Sequence, residues 1–287
     1  MTERLDPRIH VFRDDLAALS LEGRVAAPRF AAGTVRQVVA PSAVMAEAPR
    51  ADARAGSEAL FGERFTVYDQ RDGWAWGQLE TDNYVGYVPA DALGEPGVPP
   101  THRVAVPRTC LYPRPDLKSC PVRLVSLNAR LAVTGRDGEF VVLADGAGYV
   151  FARHIAPMGV VAPDHVIVAE AFLATPYLWG GRQSLGLDCS GLVQLCLDAA
   201  GIACPRDSDM QQQLGVPVDI ADLTSLERGD LVFWKGHVGI MVDATRLLHA
   251  SGHHMLVVIE PLAAAAMRYA EAGLPVTAVR RLEKPAG

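Results

Sequence analysis

The chain has 287 residues, a hydrophobic fraction of 49%, a charged fraction of 21% and a formal net charge of −6. That length exceeds one hydrophobic core and predicts two or three compact units, and the composition excludes a disordered tail or a collagen-like repeat. With no concentrated Lys/Arg surface nucleic acid is not an expected partner, and with no run near ~18 consecutive apolar residues membrane insertion is not expected either.

In chain order, residues 1–32 read as a lead-in segment with one short helix candidate, Asp14-Asp15-Leu16-Ala17-Ala18-Leu19. Met1 to Arg8 mixes acids, bases and proline where a secretory leader carries a basic tip and an apolar run, which predicts a cytoplasmic protein. Over 33–95 the pattern changes to short aromatic and β-branched runs at 35–39, 65–68, 74–79 and 84–88, with turn formers between them such as Arg71-Asp72-Gly73. This is the signature of a small all-β unit. The proline-rich stretch 94–100 breaks the chain, and a second all-β unit follows over 100–158. The endings Gly86-Tyr87-Val88-Pro89-Ala90 and Gly148-Tyr149-Val150-Phe151-Ala152 predict an internal duplication.

Residues 160–287 predict an α+β unit, helices first and an antiparallel sheet after. Helices are expected at 162–173, at 190–200 with Gly201 as the stop, and at 263–272. Strands are expected at 230–234, 237–242, 246–250 and 276–280.

The cysteines are Cys110, Cys120, Cys189, Cys196 and Cys204, an odd number with no CxxC pair, which argues against a disulfide framework and a zinc ribbon. Cys196 and Cys204 read as small buried hydrophobes. Cys189 follows Asp188 at a predicted helix start. There the helix field would lower the thiol pKa from ~8.5, and free backbone N–H groups could stabilise an oxyanion. His237, opening an apolar strand between Gly236 and Gly239, is the candidate general base. His249 on the next strand is the candidate third member that holds the imidazole tautomer. For both histidines to share a face, the connection around Asp243-Ala244-Thr245 must be odd in length or carry a bulge. Each residue also has a structural reading, Cys189 as a small core hydrophobe and His237 as a packed strand histidine. A metal site from His249, His253 and His254 with an acid lacks HExxH-type spacing, so neither metal nor cofactor is expected.

Four motifs in order, Pro176-Tyr177-Leu178-Trp179-Gly180-Gly181, Asp188-Cys189-Ser190-Gly191-Leu192-Val193, Arg206-Asp207-Ser208-Asp209-Met210-Gln211 and Gly229-Asp230-Leu231-Val232-Phe233 ahead of His237, resemble the NlpC/P60 family of cell-wall cysteine peptidases over about 161–281. The two β units resemble bacterial SH3-like domains. The implied fold class is multidomain: two small all-β SH3-like barrels, 33–95 and 100–158, followed by an α+β papain-like NlpC/P60 catalytic domain, 160–287. The arrangement is similar to γ-D-glutamyl-L-diamino acid endopeptidases of murein peptide recycling. That similarity implies a cysteine endopeptidase acting on murein-derived tripeptides or tetrapeptides with a free N-terminal L-Ala and releasing L-Ala-γ-D-Glu.

By position, the resemblance implies that Tyr177 shapes the oxyanion site, that Asp188 binds the substrate amine, and that Ser190 and Ser208 contact the dipeptide. Glu58 and Tyr84 of the first β unit are implied near the amine, whereas Trp74 and Trp76 read as domain packing. A fixed carboxylate such as Asp188 would reject a blocked terminus by leaving a buried charge unpaired. The competing readings are a papain-like amidase or acyltransferase using the same triad on another acyl group, and a catalytically inactive wall-peptide-binding protein.

Overall fold

In the computed structural model the described residues are 5–220 and 223–282, and they divide into two compact units between Met158 and Gly159. Among the described residues no helix is long and apolar enough to cross a membrane.

The largest sheet of the first unit is seven-stranded and antiparallel, in the order Leu93–Gly94, Thr34–Val38, Arg64–Arg71, Trp74–Leu79, Val85–Pro89, Ser42–Ala46, Ala55–Leu60. Arg71 pairs with Trp74, so Asp72 and Gly73 form a two-residue loop. Both have positive φ, 52° and 80°, the mirror-image turn whose twist matches paired strands. Val38, Met45, Phe65, Leu79, Tyr84 and Val88 meet in its core. Three smaller sheets follow, built from Arg130–Leu131, His102–Val104 and Ile155–Pro157, from Arg108–Leu111 and Arg123–Ser126, and from Val133–Asp137, Phe140–Leu143 and Tyr149–Phe151. Phe61 from the first half lies in the core of the second, with Leu111, Leu131 and Val150. Gly62 allows that seam: a Cβ there would stand 2.0 Å from the Arg130 carbonyl oxygen. The two similar sequence endings have similar structures, a short strand and then a 3-10 turn, at Ala90–Ala92 and Ala152–His154.

Residues 14–18 form a hairpin rather than a helix, and Leu19 opens a 3-10 turn, Leu19–Leu21. Phe12 pairs with Ala17 and Arg13 with Leu16, so Asp14-Asp15 is a hairpin turn, and Leu16–Ala18 also pairs in parallel with Phe30–Ala31. Leu16, Ala17 and Ala18 are all buried. Six residues make a poor helix on their own, and two pairing partners outweigh local propensity. Val11, Leu16, Ala18 and Leu21 pack on Trp76, over whose ring the Arg13 guanidinium stands at 4.4 Å.

The second unit carries helices α1 (His165–Glu170), α2 (Cys189–Ala199), α3 (Ser208–Gln211) and α4 (Leu262–Glu271). Its antiparallel sheet has strands β1 (Val216–Val218), β2 (Leu231–Trp234), β3 (His237–Met241), β4 (Arg246–Ser251), β5 (Leu256–Pro261) and β6 (Ala278–Arg281), in the order β1-β6-β2-β3-β4-β5. Helix α1 is shorter than the expected 162–173. Asp164 caps it by accepting from the Val166 N–H at 2.7 Å, and the chain leaves through Ala174 at φ 64°. Helix α2 packs against β3 and β4 and is buried at every residue except Asp198. It ends before Gly201, whose φ of 76° reverses the chain.

Candidate active site

The start of α2 is set by Asp188. Its Oδ1 accepts from the Gly191 N–H at 2.7 Å as the helix cap, and its Oδ2 accepts from the Gly180 N–H at 2.8 Å. Arg206 forks onto the same carboxylate, Nη1 to Oδ1 at 3.0 Å and Nη2 to Oδ2 at 2.6 Å, and both residues are buried. Arg206 Nη1 also donates to Ser190 Oγ at 2.8 Å. Gln211 Nε2 ties α3 in by donating to the Ser190 and Pro205 carbonyls at 3.0 and 2.9 Å. Glycine lets the preceding loop lie on the helix start: a Cβ on Gly191 would meet the Gly181 carbonyl oxygen at 2.2 Å.

This places Cys189 at the first helical residue. Its Sγ lies 4.0 Å from the Gly236 carbonyl oxygen, and the Val238 and Ser190 backbone N–H groups favour its thiolate. The sulphur therefore lies against the main chain on both sides of His237. The expected lowering of its pKa is not found. Burial dominates, with the Asp188 charge adding to it, and together they push the thiol up to about 12 despite those two N–H groups and Arg206. The resting sulphur is a thiol.

Strands β3 and β4 bring the histidines together. Ile240 pairs with Leu248 and Met241 with Leu247, and the Val242 N–H bonds the Arg246 carbonyl at 2.9 Å, which leaves the odd-length loop 243–245. Its Asp243 Oδ1 accepts from the Thr245 and Arg246 N–H groups, each at 2.9 Å. His237 and His249 then share one sheet face, and His237 Nε2 lies 2.7 Å from His249 Nδ1. Gly239 sits beneath the pair: a Cβ there would meet Leu247 Cδ1 at 2.8 Å and His249 Cβ at 3.1 Å. Burial lowers both imidazoles, with His249 and Arg268 lowering His237 further, to about 3, and Glu260 partly offsetting the burial of His249, which lies at about 4. Both are neutral near pH 7. Tyr269 of α4 stacks on His237 at 5.1 Å and 25°, and Trp234 stacks on the same phenol at 5.1 Å and 29°.

Of the other expected residues, Tyr177 is tied to the turn before β5 by its N–H, which donates to the Met255 carbonyl at 2.9 Å. Burial and then the Cys189 charge raise its phenol well above the usual range, so it stays an O–H donor. Ser190 and Asp188 are buried in the Arg206 network, and Ser208 is partly exposed at the start of α3. Glu58 and Tyr84 are buried in the first unit. The Tyr84 ring lies against Gly56, where a Cβ would meet it at 3.1 Å, two residues from Glu58 along the same strand.

Sequence reasoning missed Arg206, Glu260, Arg268 and Tyr269. Arg206 lies inside a quoted motif, and a buried arginine demands a carboxylate, a signal that points to Asp188. Glu260 lies on β5, which was not expected at all. His249 Nε2 is 2.8 Å from Glu260 Oε1. Both ring nitrogens of His249 are thus engaged within the protein and neither is free for a metal, and among the described residues no group of three or more His, Cys, Asp or Glu could hold one. A thiol at a helix start, a neutral imidazole and a polar group behind it can act as nucleophile, general base and orienting residue of acyl transfer.

The family model described as the bacterial dipeptidyl-peptidase Sh3 domain matches residues 45–93, and that of the NlpC/P60 family matches residues 174–272. The chain is 30% identical over 241 residues to a gamma-D-glutamyl-L-lysine dipeptidyl-peptidase of Bacillus cereus (strain ATCC 10987 / NRS 248), covering 72% of this chain and 70% of that one. It is 26% identical over 219 residues to the protein of the same name from Bacillus subtilis (strain 168), covering 68% and 71%. Among solved structures, an NlpC/P60 family protein from Bacillus cereus ATCC 10987 shares the fold, with a TM-score of 0.73, 23% identity, and coverage of 86% of this chain and 99% of that one.

Proposed function

The chain belongs to the NlpC/P60 family of cysteine peptidases, and from this we propose that it hydrolyses the γ-D-glutamyl-L-diamino acid bond of murein tripeptides or tetrapeptides bearing a free N-terminal L-Ala, releasing L-Ala-γ-D-Glu for cell-wall peptide recycling. Within this reading the first unit is two SH3-like barrels, 33–95 and 100–158, and the second is a papain-like catalytic domain, 160–287. The observation that carries the proposal is Cys189 at the first residue of α2, against the backbone on both sides of His237, with His249 2.7 Å behind that imidazole.

With a resting thiol and a neutral imidazole, His237 takes the Sγ proton as the sulphur bonds the γ-carbonyl carbon of D-Glu. The Ser190 N–H and the Tyr177 hydroxyl are the donors proposed for the resulting oxyanion. The imidazolium returns its proton to the departing α-amine of the diamino acid as the C–N bond breaks. Water, deprotonated by His237, then cleaves the thioester and frees the dipeptide. Asp188, Ser190 and Ser208 are the proposed contacts to that dipeptide, with Glu58 and Tyr84 as further contacts to its free amine. Arg206 already pairs the Asp188 carboxylate, so a blocked terminus would not leave that charge unpaired as the sequence suggested; in this proposal Asp188 caps the helix and shares its oxygens with the ammonium.

Incubation with L-Ala-γ-D-Glu-meso-diaminopimelate, with its L-lysine counterpart and with the N-acetylated form of each tests the proposal. Release of L-Ala-γ-D-Glu from a free-amine tripeptide and little from its acetylated form is expected. No dipeptide from either free-amine substrate sinks the proposal.

A further inference from the structure

Behind His237 the polar chain continues past His249. His249 pairs with Val258 across β4 and β5, so Glu260, two residues further along β5, is its diagonal neighbour on the same face. Its Oε1 lies 2.8 Å from His249 Nε2. Arg268 of α4 holds the carboxylate from the other side, Nη1 donating to Oε2 at 3.0 Å and Nη2 to Oε1. His254 Nε2 stands 3.6 Å from Oε1 at the exposed edge.

A carboxylate only accepts hydrogen bonds. Burial pushes the Glu260 carboxyl up, but the bonds and charges of Arg268 and His249 reverse that and bring it down to about 2, so it is ionised at neutral pH. His249 Nε2 must then carry a hydrogen, and in the neutral ring Nδ1 is the lone-pair nitrogen. The 2.7 Å contact therefore needs the hydrogen on His237 Nε2, which leaves His237 Nδ1 unprotonated.

We infer that Glu260 is a positioning residue that fixes the tautomers of both histidines and makes His237 Nδ1 the atom that takes the Cys189 proton. The inference rests on the reading of Cys189 and His237 as nucleophile and base. When the proton moves from Sγ to Nδ1, the imidazolium keeps its Nε2–H bond to His249, and the ionised Glu260 stabilises the charge through that ring. No proton passes to Glu260. A purely structural Glu260 would serve only to tie β5 to α4 through Arg268.

The tautomers are read directly from 15N chemical shifts of the imidazole nitrogens in the labelled wild-type protein at pH 7. Protonated Nε2 and unprotonated Nδ1 on both His237 and His249 are expected, and His249 protonated at Nδ1 overturns the inference. In Glu260→Gln the amide oxygen stays with Arg268 and its NH2 donates to His249 Nε2, which reverses both tautomers. The expected result is a fall in kcat of about 10²-fold or more with KM within about twofold. Arg268→Met breaks the same ion pair but leaves the acceptor in place, so its kcat falls by less than about tenfold and the wild-type tautomers persist. Equal losses in the two variants with unchanged tautomers would make Glu260 structural and overturn the inference. If Glu260→Gln does not fold, the wild-type spectrum decides alone. Turnover retained in Cys189→Ala would instead refute the nucleophile, a separate result that leaves the tautomer pattern standing.

Discussion

Burial shifts Cys189 and His237 in opposite directions, each toward its neutral form. It raises the thiol and lowers the imidazole, so the pair rests neutral where an exposed helix-start cysteine would ionise. Without substrate, iodoacetamide should alkylate Cys189 more slowly than an exposed thiol such as Cys120 at pH 7, with the difference read by peptide mass spectrometry. Because burial brings His237 and His249 down to about 3 and about 4, the proposed base His237 stays unprotonated well below the ordinary histidine value. The acid limb of kcat/KM is expected below about pH 5, and a limb near pH 6.5 would contradict the buried, neutral pair. Asp188→Asn removes one partner of the buried fork with Arg206. It should destabilise the second unit by about 3–5 kcal/mol in urea titrations, a larger loss than any solvent-exposed ion pair would give.

At the scale of elements, legibility followed locality. Helix α2 and its stop at Gly201 were readable because a helix stop is local chemistry, whereas the capping role of Asp188 came only from the structure. The odd connection between β3 and β4 was readable because side-chain parity in a strand is arithmetic. Strand β5 and its Glu260 were not, since a glutamate beside Pro261 at a strand end reads as a solvated terminus until His249 lies diagonally opposite. Asp14-Asp15 was misread for the same reason, its hairpin depending on partners at Phe12 and Phe30. Tyr269 gave only helix periodicity, and its place on His237 is set by how α4 returns across the sheet. One consequence concerns Gly239, where a Cβ would press on Leu247 and His249. Gly239→Ala is expected to cost about 1–3 kcal/mol, measurable as a lower urea midpoint, and an unchanged midpoint would show that the β3–β4 face yields freely.

For the molecule as a whole, composition and charge could not show how residues 5–32 complete the first unit. That segment covers Trp76 with Val11, Leu16, Ala18 and Leu21. Removing residues 1–32 should lower first-unit stability by about 2–4 kcal/mol after the entropy regained by the freed chain, seen in tryptophan fluorescence during urea unfolding. The second unit has its own pH dependence. His237 and His249 have folded pKa values below 6.5, so the stability they contribute is present above pH 6.5 and is lost as pH falls toward about 4 and about 3. Glu260 acts in the same direction, losing its contribution between 4.5 and about 2. A falling thermal midpoint from pH 7 to pH 4 is the expected record.

The proposed nucleophile Cys189 would carry the acyl group in the intermediate, and rapid acid quenching of the enzyme with L-Ala-γ-D-Glu-L-lysine, followed by mass spectrometry of its peptides, tests that directly. The expected result is an L-Ala-γ-D-Glu adduct on the peptide containing Cys189, absent from Cys189→Ala, which also releases no dipeptide. An adduct on another residue, or undiminished turnover by Cys189→Ala, would contradict the account.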